Sequence, residues 1–259
     1  MKYAIISDIH SNVHSLVAAM DICKQNKVDK LISLGDIVGY NGNPAECLEI
    51  VKKEFYCSVR GNHDDLVSRE LTYSDHMDWN PRAISGVNYS KSKISDSDKQ
   101  WLGELPRYKV VEDTFPFTIG HGFPFDNYMN PFDYIMNKYD ATLVMKRFVC
   151  QNETKLGFYG HTHMPALVRS LGKDKVVKYK SDTQLFKIKG IPIKGYFLVN
   201  PGSVGQGRIV DSKNRRVVSF VILDTNIKSL SFITYDYDVE GAKEAIINGN
   251  YCSVLAEKL

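Results

Sequence analysis

Short apolar runs recur along the chain, and each ends at a glycine or an aspartate. They are Ile5-Ile6-Ser7, Leu31-Ile32-Ser33-Leu34, Tyr56 to Arg60, Phe117-Thr118-Ile119 and Leu156-Gly157-Phe158-Tyr159. Runs this short and this continuous read as buried strands. The gaps between the first three have helical spacing. A helix over Val13–Asn26 puts Leu16, Val17, Met20 and Cys23 on one face. A second runs from about Pro44 to Lys53, with the proline in the first turn, where a missing N–H costs nothing. The chain therefore opens strand, helix, strand, helix, strand over Tyr3–Ser7, Val13–Asn26, Lys30–Leu34, Pro44–Lys53 and Tyr56–Arg60. Parallel strands joined by helices of this length imply right-handed crossovers.

Residues 64–105 read as mostly helical and cover part of any site at the strand ends. Asn80 caps a helix starting at Pro81, and Ser95 to Asp98 open another. A hairpin follows, Tyr108–Glu112 to Phe115–Ile119, then an aromatic segment from Gly122 to Tyr134, then a helix near Ala141–Gln151. The rest alternates as strands near 165–170, 175–179, 184–188, 196–199, 217–223 and 229–236, with short helices near 239–248 and 251–258. The pattern predicts one α/β domain over residues 1–259, with a helical insert at about 64–105 and a β-rich C-terminal part.

Composition adds bounds. An apolar content of 43% supports a packed core, and a net charge of +3 makes no case for nucleic acid as partner. The lysines from Lys173 to Lys194 alternate with apolar residues, as on a solvated strand face. The five cysteines are widely spaced and form no Cys-x-x-Cys, so they read as reduced thiols packed as small hydrophobes. A first strand starting at about Lys2 leaves no room for a signal peptide, and no apolar stretch is long enough to cross a membrane. The expectation is a soluble cytoplasmic protein with no membrane partner.

The chemistry lies just after the strands. Asp8-Ile9-His10, Gly35-Asp36, Gly61-Asn62-His63-Asp64, Gly120-His121 and Gly160-His161-Thr162-His163 each follow one apolar run. In open α/β sheets ligand sites lie outside the carboxyl ends of the strands, so groups more than 150 residues apart converge on one edge. Oxygen and imidazole donors with a carboxylate to share suit hard or borderline divalent cations. No cysteine falls among these positions, which argues against a closed structural zinc site. The glycines beforehand permit unusual backbone angles and close approach.

In order and spacing these five elements resemble the calcineurin-like metallophosphoesterases, over residues 2 to about 205. Asn200-Pro201-Gly202-Ser203-Val204-Gly205-Gln206 resembles the closing motif of a bacterial and archaeal branch, as do Tyr40 to Pro44 and Trp79 to Ala83. The branch's Pro-Arg-Asp continuation is replaced by Gly207-Arg208-Ile209. The resemblance implies two mixed sheets packed face to face with helices outside. It implies two divalent ions, manganese first, with iron and zinc as alternatives. Asp8, His10, Asp36 and His163 would hold one ion, and Asp36, Asn62, His121 and His161 the other, with Asp36 as the bridge.

The resemblance also implies a hydrolase in which metal-bound hydroxide attacks phosphorus and His63 protonates the leaving oxygen. Asp64 is the candidate to orient the His63 ring and raise its pKa. Asn12 and Arg208 are candidate phosphate contacts, and Phe125 and Tyr128 in the aromatic segment are candidates to stack on a base. The expected substrate is a small phosphorylated molecule, a nucleotide such as a dinucleoside polyphosphate by preference. A cyclic nucleotide, a nucleic-acid diester and a phosphoprotein are the alternatives. A scaffold without chemistry is disfavoured, because every ligand position and His63 are present.

Overall fold

The computed structural model describes residues 1–123, 134–151, 154–172, 178–181 and 190–259. The opening unit is as expected: β1 (Lys2–Ile6), α1 (Val13–Gln25), β2 (Lys30–Ser33), α2 (Pro44–Glu54) and β3 (Phe55–Ser58). Strands β1, β2 and β3 pair in parallel. The insert contains α3 (Asn62–Ser68), α4 (Tyr73–Asp78), α5 (Pro81–Lys93) and α6 (Asp96–Glu104). Its predicted starts hold: Asn80 Oδ1 accepts from Arg82 N at 2.9 Å, and Ser95 and Asp98 form a reciprocal capping box.

The hairpin β4 (Tyr108–Val111) to β5 (Phe117–Gly120) leads to α7 (Lys138–Gln151) and β6 (Leu156–Phe158). After it come β7 (Ala166–Ser170), β8 (Lys178–Lys180), β9 (Ile191–Pro192), β10 (Tyr196–Asn200), β11 (Ile209–Val210), β12 (Arg216–Asp224), β13 (Ser229–Tyr235) and α8 (Val239–Asn248). The last expected helix is a 3₁₀ turn, Ser253–Lys258. The expected strand at 184–188 lies outside the described residues, as does most of the lysine-rich stretch. The two-residue strands β9 and β11 carry too short a pattern to be read from sequence.

Two mixed sheets result. One runs β3-β2-β1-β12-β13-β9, with β11 paired to β12, and the other β4-β5-β6-β10-β7-β8. Strand β1 shows how they stack. Tyr3 and Ile5 face the inter-sheet core with Ile32, Phe117, Phe158 and Val221. Ala4 and Ile6 face the other way, onto Leu16 and Ala19 of α1 and Leu48 of α2. Alternation puts successive side chains on opposite faces, so a strand apolar at every position belongs between two packed layers. Leu66, Ile84, Val87 and Leu102 of the insert join the α1–α2 layer. On the far side α7 packs Val144 and Phe148 onto the second sheet. Among the described residues no helix is long and apolar enough to cross a membrane.

The parallel strands fix where chemistry can occur. Strands β1, β2 and β3 in one sheet, and β5, β6 and β10 in the other, end at the same edge of the sandwich. Five of the six carry a predicted ligand loop at that end. The sixth, β10, carries the Asn200 to Gln206 motif.

Candidate metal centre

The loops that leave the strands reverse the backbone sharply. Asp8, His10, Asp36, His161 and His163 all have left-handed φ, between 48° and 68°. Aspartate and histidine tolerate this region better than most residues, yet each such position costs on the order of 1–3 kcal/mol. Strain gathered on the predicted ligands marks a functional edge. Close approach supplies the rest. A Cβ at Gly61 would run into the backbone N and carboxylate of Asp36. Gly61 itself has an ordinary φ of −87°, so space decides there and backbone conformation does not.

These turns bring seven predicted side chains together, all buried. Asp8, His10, Asp36 and His163 each offer a donor atom within 4.8 Å of the others, and so do Asp36, His121 and His161. Asp36 belongs to both groups. Its Oδ1 accepts the His63 N–H at 2.8 Å, and its Oδ2 lies 3.5 Å from His10 Nε2 and 3.3 Å from His121 Nε2. The shared atom is thus one oxygen, the other being committed to the backbone. Asp8 accepts the His161 N–H through both oxygens and the Ser7 hydroxyl at 2.6 Å.

The imidazoles point to cations. His10 Nδ1 donates to Val38 O (3.2 Å), His121 Nδ1 to Leu34 O (2.9 Å) and His163 Nδ1 to Gln206 O (2.8 Å). A carbonyl only accepts, so these partners place a proton on Nδ1, and in the neutral ring Nε2 keeps a lone pair. Those lone pairs meet other acceptors. His10 Nε2 faces His163 Nε2 at 3.0 Å, and His121 Nε2 faces Asn62 Oδ1 at 2.8 Å. Opposed lone pairs repel unless a cation or proton lies between them. A ring tied through Nδ1 to a backbone carbonyl, with Nε2 aimed inward, is the arrangement of a metal-ligating histidine.

Burial sets the charges. It holds the pKa of His10 and His163 well below the ordinary value and brings His161 down to about 3, so these rings are neutral, as ligands must be. Burial also raises Asp8, to about 7. It opposes charge on His121 too, but Asp36 and Asp8 overcome it and raise that ring to about 9. Without metal, a proton on His121 offsets the carboxylates. A divalent cation would replace it.

Other predicted residues fall elsewhere. Asp64 does not orient His63. Its Oδ1 accepts from Ile37 N (2.9 Å) and Val38 N (3.2 Å), and its Oδ2 from Gly61 N (3.0 Å). It caps α3 and clamps the loop carrying Asp36. The His63 pKa is accordingly lowered, by burial, which Asp36 only partly offsets. Asn12 is committed to the framework. Its Oδ1 caps α1 at Ser15 N (3.1 Å), and its Nδ2 donates to Gly205 O (3.1 Å). Phe125 and Tyr128 lie outside the described residues. Arg208 is at the site: with His63, Tyr40, Trp79 and Tyr134 it lines a cavity of about 500 Å³ over Asp36, Asn62, His161 and His163.

Sequence reasoning missed the residues that brace the centre. Ser203 Oγ donates to Asp8 O (2.8 Å) and accepts from Gln206 N (2.8 Å). Asn41 Nδ2 donates to His10 O (2.8 Å), and Asn200 Nδ2 to Gly160 O (2.7 Å). The Asn200–Gln206 loop thus ties β1 of one sheet to the Gly160 turn of the other. The only signal in the sequence was the motif itself. One consequence is testable at Gly61: Gly61→Ala keeps every predicted ligand residue in the sequence yet should lower metal content, because its methyl displaces Asp36. Metal content of the purified variant checks this, and full metal loading would refute it.

Relatives share this architecture over almost their whole length. An uncharacterized protein of Methanocaldococcus jannaschii is 29% identical over 261 residues, covering 99% of this chain and 96% of its own. A metallophosphoesterase from Sphaerobacter thermophilus superposes with a TM-score of 0.78 at 28% identity, covering 100% of this chain and 98% of that one. A hypothetical protein from Pyrococcus horikoshii has the same fold, with a TM-score of 0.75 at 18% identity, covering 99% and 96%. Residues 1–228 match the family model of the calcineurin-like phosphoesterase superfamily domain, strands β1 to β12 and the ligand loops included. With its buried aspartates and histidines suited to divalent cations, the chain belongs to that superfamily and is a phosphoester hydrolase.

Proposed function

We propose that the chain hydrolyses a phosphoester or phosphoanhydride of a small phosphorylated molecule, with two divalent cations as cofactors. One observation carries the reading: two buried donor clusters share Asp36, and the neutral rings of His10 and His163 turn their Nε2 atoms on each other. Asp8, His10, Asp36 and His163 would hold one cation, and Asp36, Asn62, His121 and His161 the other. Mixed oxygen and imidazole donors suit manganese, and iron and zinc as well. When bound, the pair supplies Lewis acidity to phosphoryl oxygens and acidifies water enough for attack at neutral pH.

The chain's own residues do the rest. Asp8 and Asp36 are the only ionised donors among the proposed ligands, so they leave a divalent pair incompletely neutralised and the site attracts a phosphoryl anion. Arg208, exposed on the cavity wall, offers a planar fork that matches phosphate oxygens. His63 Nδ1 lies against Gly39, which leaves Nε2 as the ring nitrogen on the cavity side, where it can give a proton to a leaving oxygen. Tyr40, Trp79 and Tyr134 give the cavity aromatic walls. Such walls favour a substrate that carries a base, such as a dinucleoside polyphosphate.

The test is metal content after full remetallation, with hydrolysis of a nitrophenyl phosphodiester and then of monoesters, dinucleoside polyphosphates and cyclic dinucleotides. Two equivalents per chain, with turnover abolished by chelator, is expected. One equivalent or less would overturn the dinuclear reading. Preference for simple monoesters would overturn the nucleotide reading.

A further inference from the structure

A histidine that handles a proton is usually oriented by a hydrogen bond at its second ring nitrogen. His63 has none. Its Nδ1 is buried without a hydrogen-bond partner, and a Cβ at Gly39 would collide with it. The bond from His63 N to Asp36 Oδ1 (2.8 Å) fixes the backbone and leaves the ring free to rotate. Rings pack around it instead. Tyr40 lies 4.6 Å away by centroid, tilted by 44°. Trp79 meets it edge-on at 5.4 Å and 78°. His10 lies 4.7 Å away at 79°.

Both outer rings are themselves held firmly. Tyr40 has φ +52°, uncommon for a bulky residue and costly unless its surroundings enforce it. They do. Tyr251 Oη donates to Tyr40 O at 2.5 Å, and Tyr251 stacks on Tyr89 of α5 at 3.9 Å. A Cβ at Gly86 of α5 would strike the Tyr40 backbone, so that glycine lets the insert press on the loop. Trp79 ends α4, with its N–H on Asp75 O. Asp75 is gripped by the two terminal Arg69 nitrogens, at 2.8 and 2.9 Å. The two anchored rings meet at His63, and Tyr40 also touches His10 edge-on at 4.7 Å.

We propose that Tyr40 and Trp79 are positioning residues for His63, holding by packing a ring that no hydrogen bond orients. The inference rests on the reading of His63 as the group that protonates the leaving oxygen. A donor displaced by about 1 Å loses on the order of 10²-fold in rate. That loss falls on substrates whose leaving oxygen needs the proton.

The experiment uses a series of aryl phosphodiesters, from nitrophenyl to methoxyphenyl, on the metal-loaded full chain. Tyr40→Leu, Trp79→Leu, Tyr40→Phe, Trp79→Phe and His63→Ala are compared, with metal content measured for each. The leucine variants should retain both metals. Their kcat on the poorest leaving groups should fall roughly 10-fold to 100-fold, with KM little changed, and log kcat should depend more steeply on leaving-group pKa. The phenylalanine variants should recover most of the loss. Tyr40→Leu placed in His63→Ala should not steepen the dependence further, because residues acting through one group are not additive. A uniform fall across the series, loss of metal, or phenylalanine variants as impaired as leucine would overturn the proposal. An unchanged slope in His63→Ala would overturn the acid reading itself. A steepened slope in His63→Ala alone would remove only the positioning role.

Discussion

Asp36→Asn should empty both of the proposed metal sites together. No other aspartate or histidine is common to the two donor groups. Its Oδ2 lies within 3.5 Å of Nε2 on both His10 and His121. The amide keeps the size and can still accept from His63 N, so the fold should survive. It removes the negative charge on which both cations depend. Lewis-acid stabilisation of a phosphoryl transition state is worth several kcal/mol, so kcat/KM should drop by on the order of 10³-fold or more. His163→Ala is the control. It removes a donor from one group only and should leave the His121 side with measurable metal. The readout is metal per chain by elemental analysis over a range of free manganese, with activity measured in parallel. One tightly held equivalent in Asp36→Asn would show that the clusters do not share this ligand.

The framework was legible because strand burial writes itself into sequence. Tyr3 and Ile5 face one core and Ala4 and Ile6 another, so the run is apolar at every position and can only be a strand between layers. Ligands at the ends of such strands are legible for the same reason. Two candidate residues take capping positions. Asn12 directly precedes the predicted start of α1, the place where a short polar side chain accepts a helix N–H. Asp64 stands three residues after Gly61 at the start of α3, the capping-box position. The helix signals were present for both, and in the structure both side chains serve helix starts. Other features had no local signal. The left-handed turns at Asp8, His10 and Asp36 follow from contacts between loops of different strands. Tyr40 and Trp79 meet around His63 where α5 packs Gly86 against residue 40. Such convergence depends on how the insert docks, and no periodicity encodes it.

His63→Ala should separate proton transfer from metal binding. His63 neighbours the clusters and lines the cavity, yet it is in neither donor group. Its link to the centre is a backbone N–H on Asp36 Oδ1, which alanine preserves. Both metals should therefore remain. General acid catalysis typically contributes about 10²–10⁴-fold, and that is the fall in kcat expected for an alkoxide leaving group. The fall should shrink for nitrophenolate, which departs without a proton. Removing the ring also vacates the space among Tyr40, His10 and Trp79. Some loss of stability is expected with it, so thermal unfolding must show the variant folded at the assay temperature. His161→Ala and His163→Ala provide the contrast. They lose metal and activity together, whatever the leaving group. A His63→Ala protein that lost a metal, or was equally impaired on good and poor leaving groups, would make His63 a structural residue and leave protonation of the leaving oxygen to solvent.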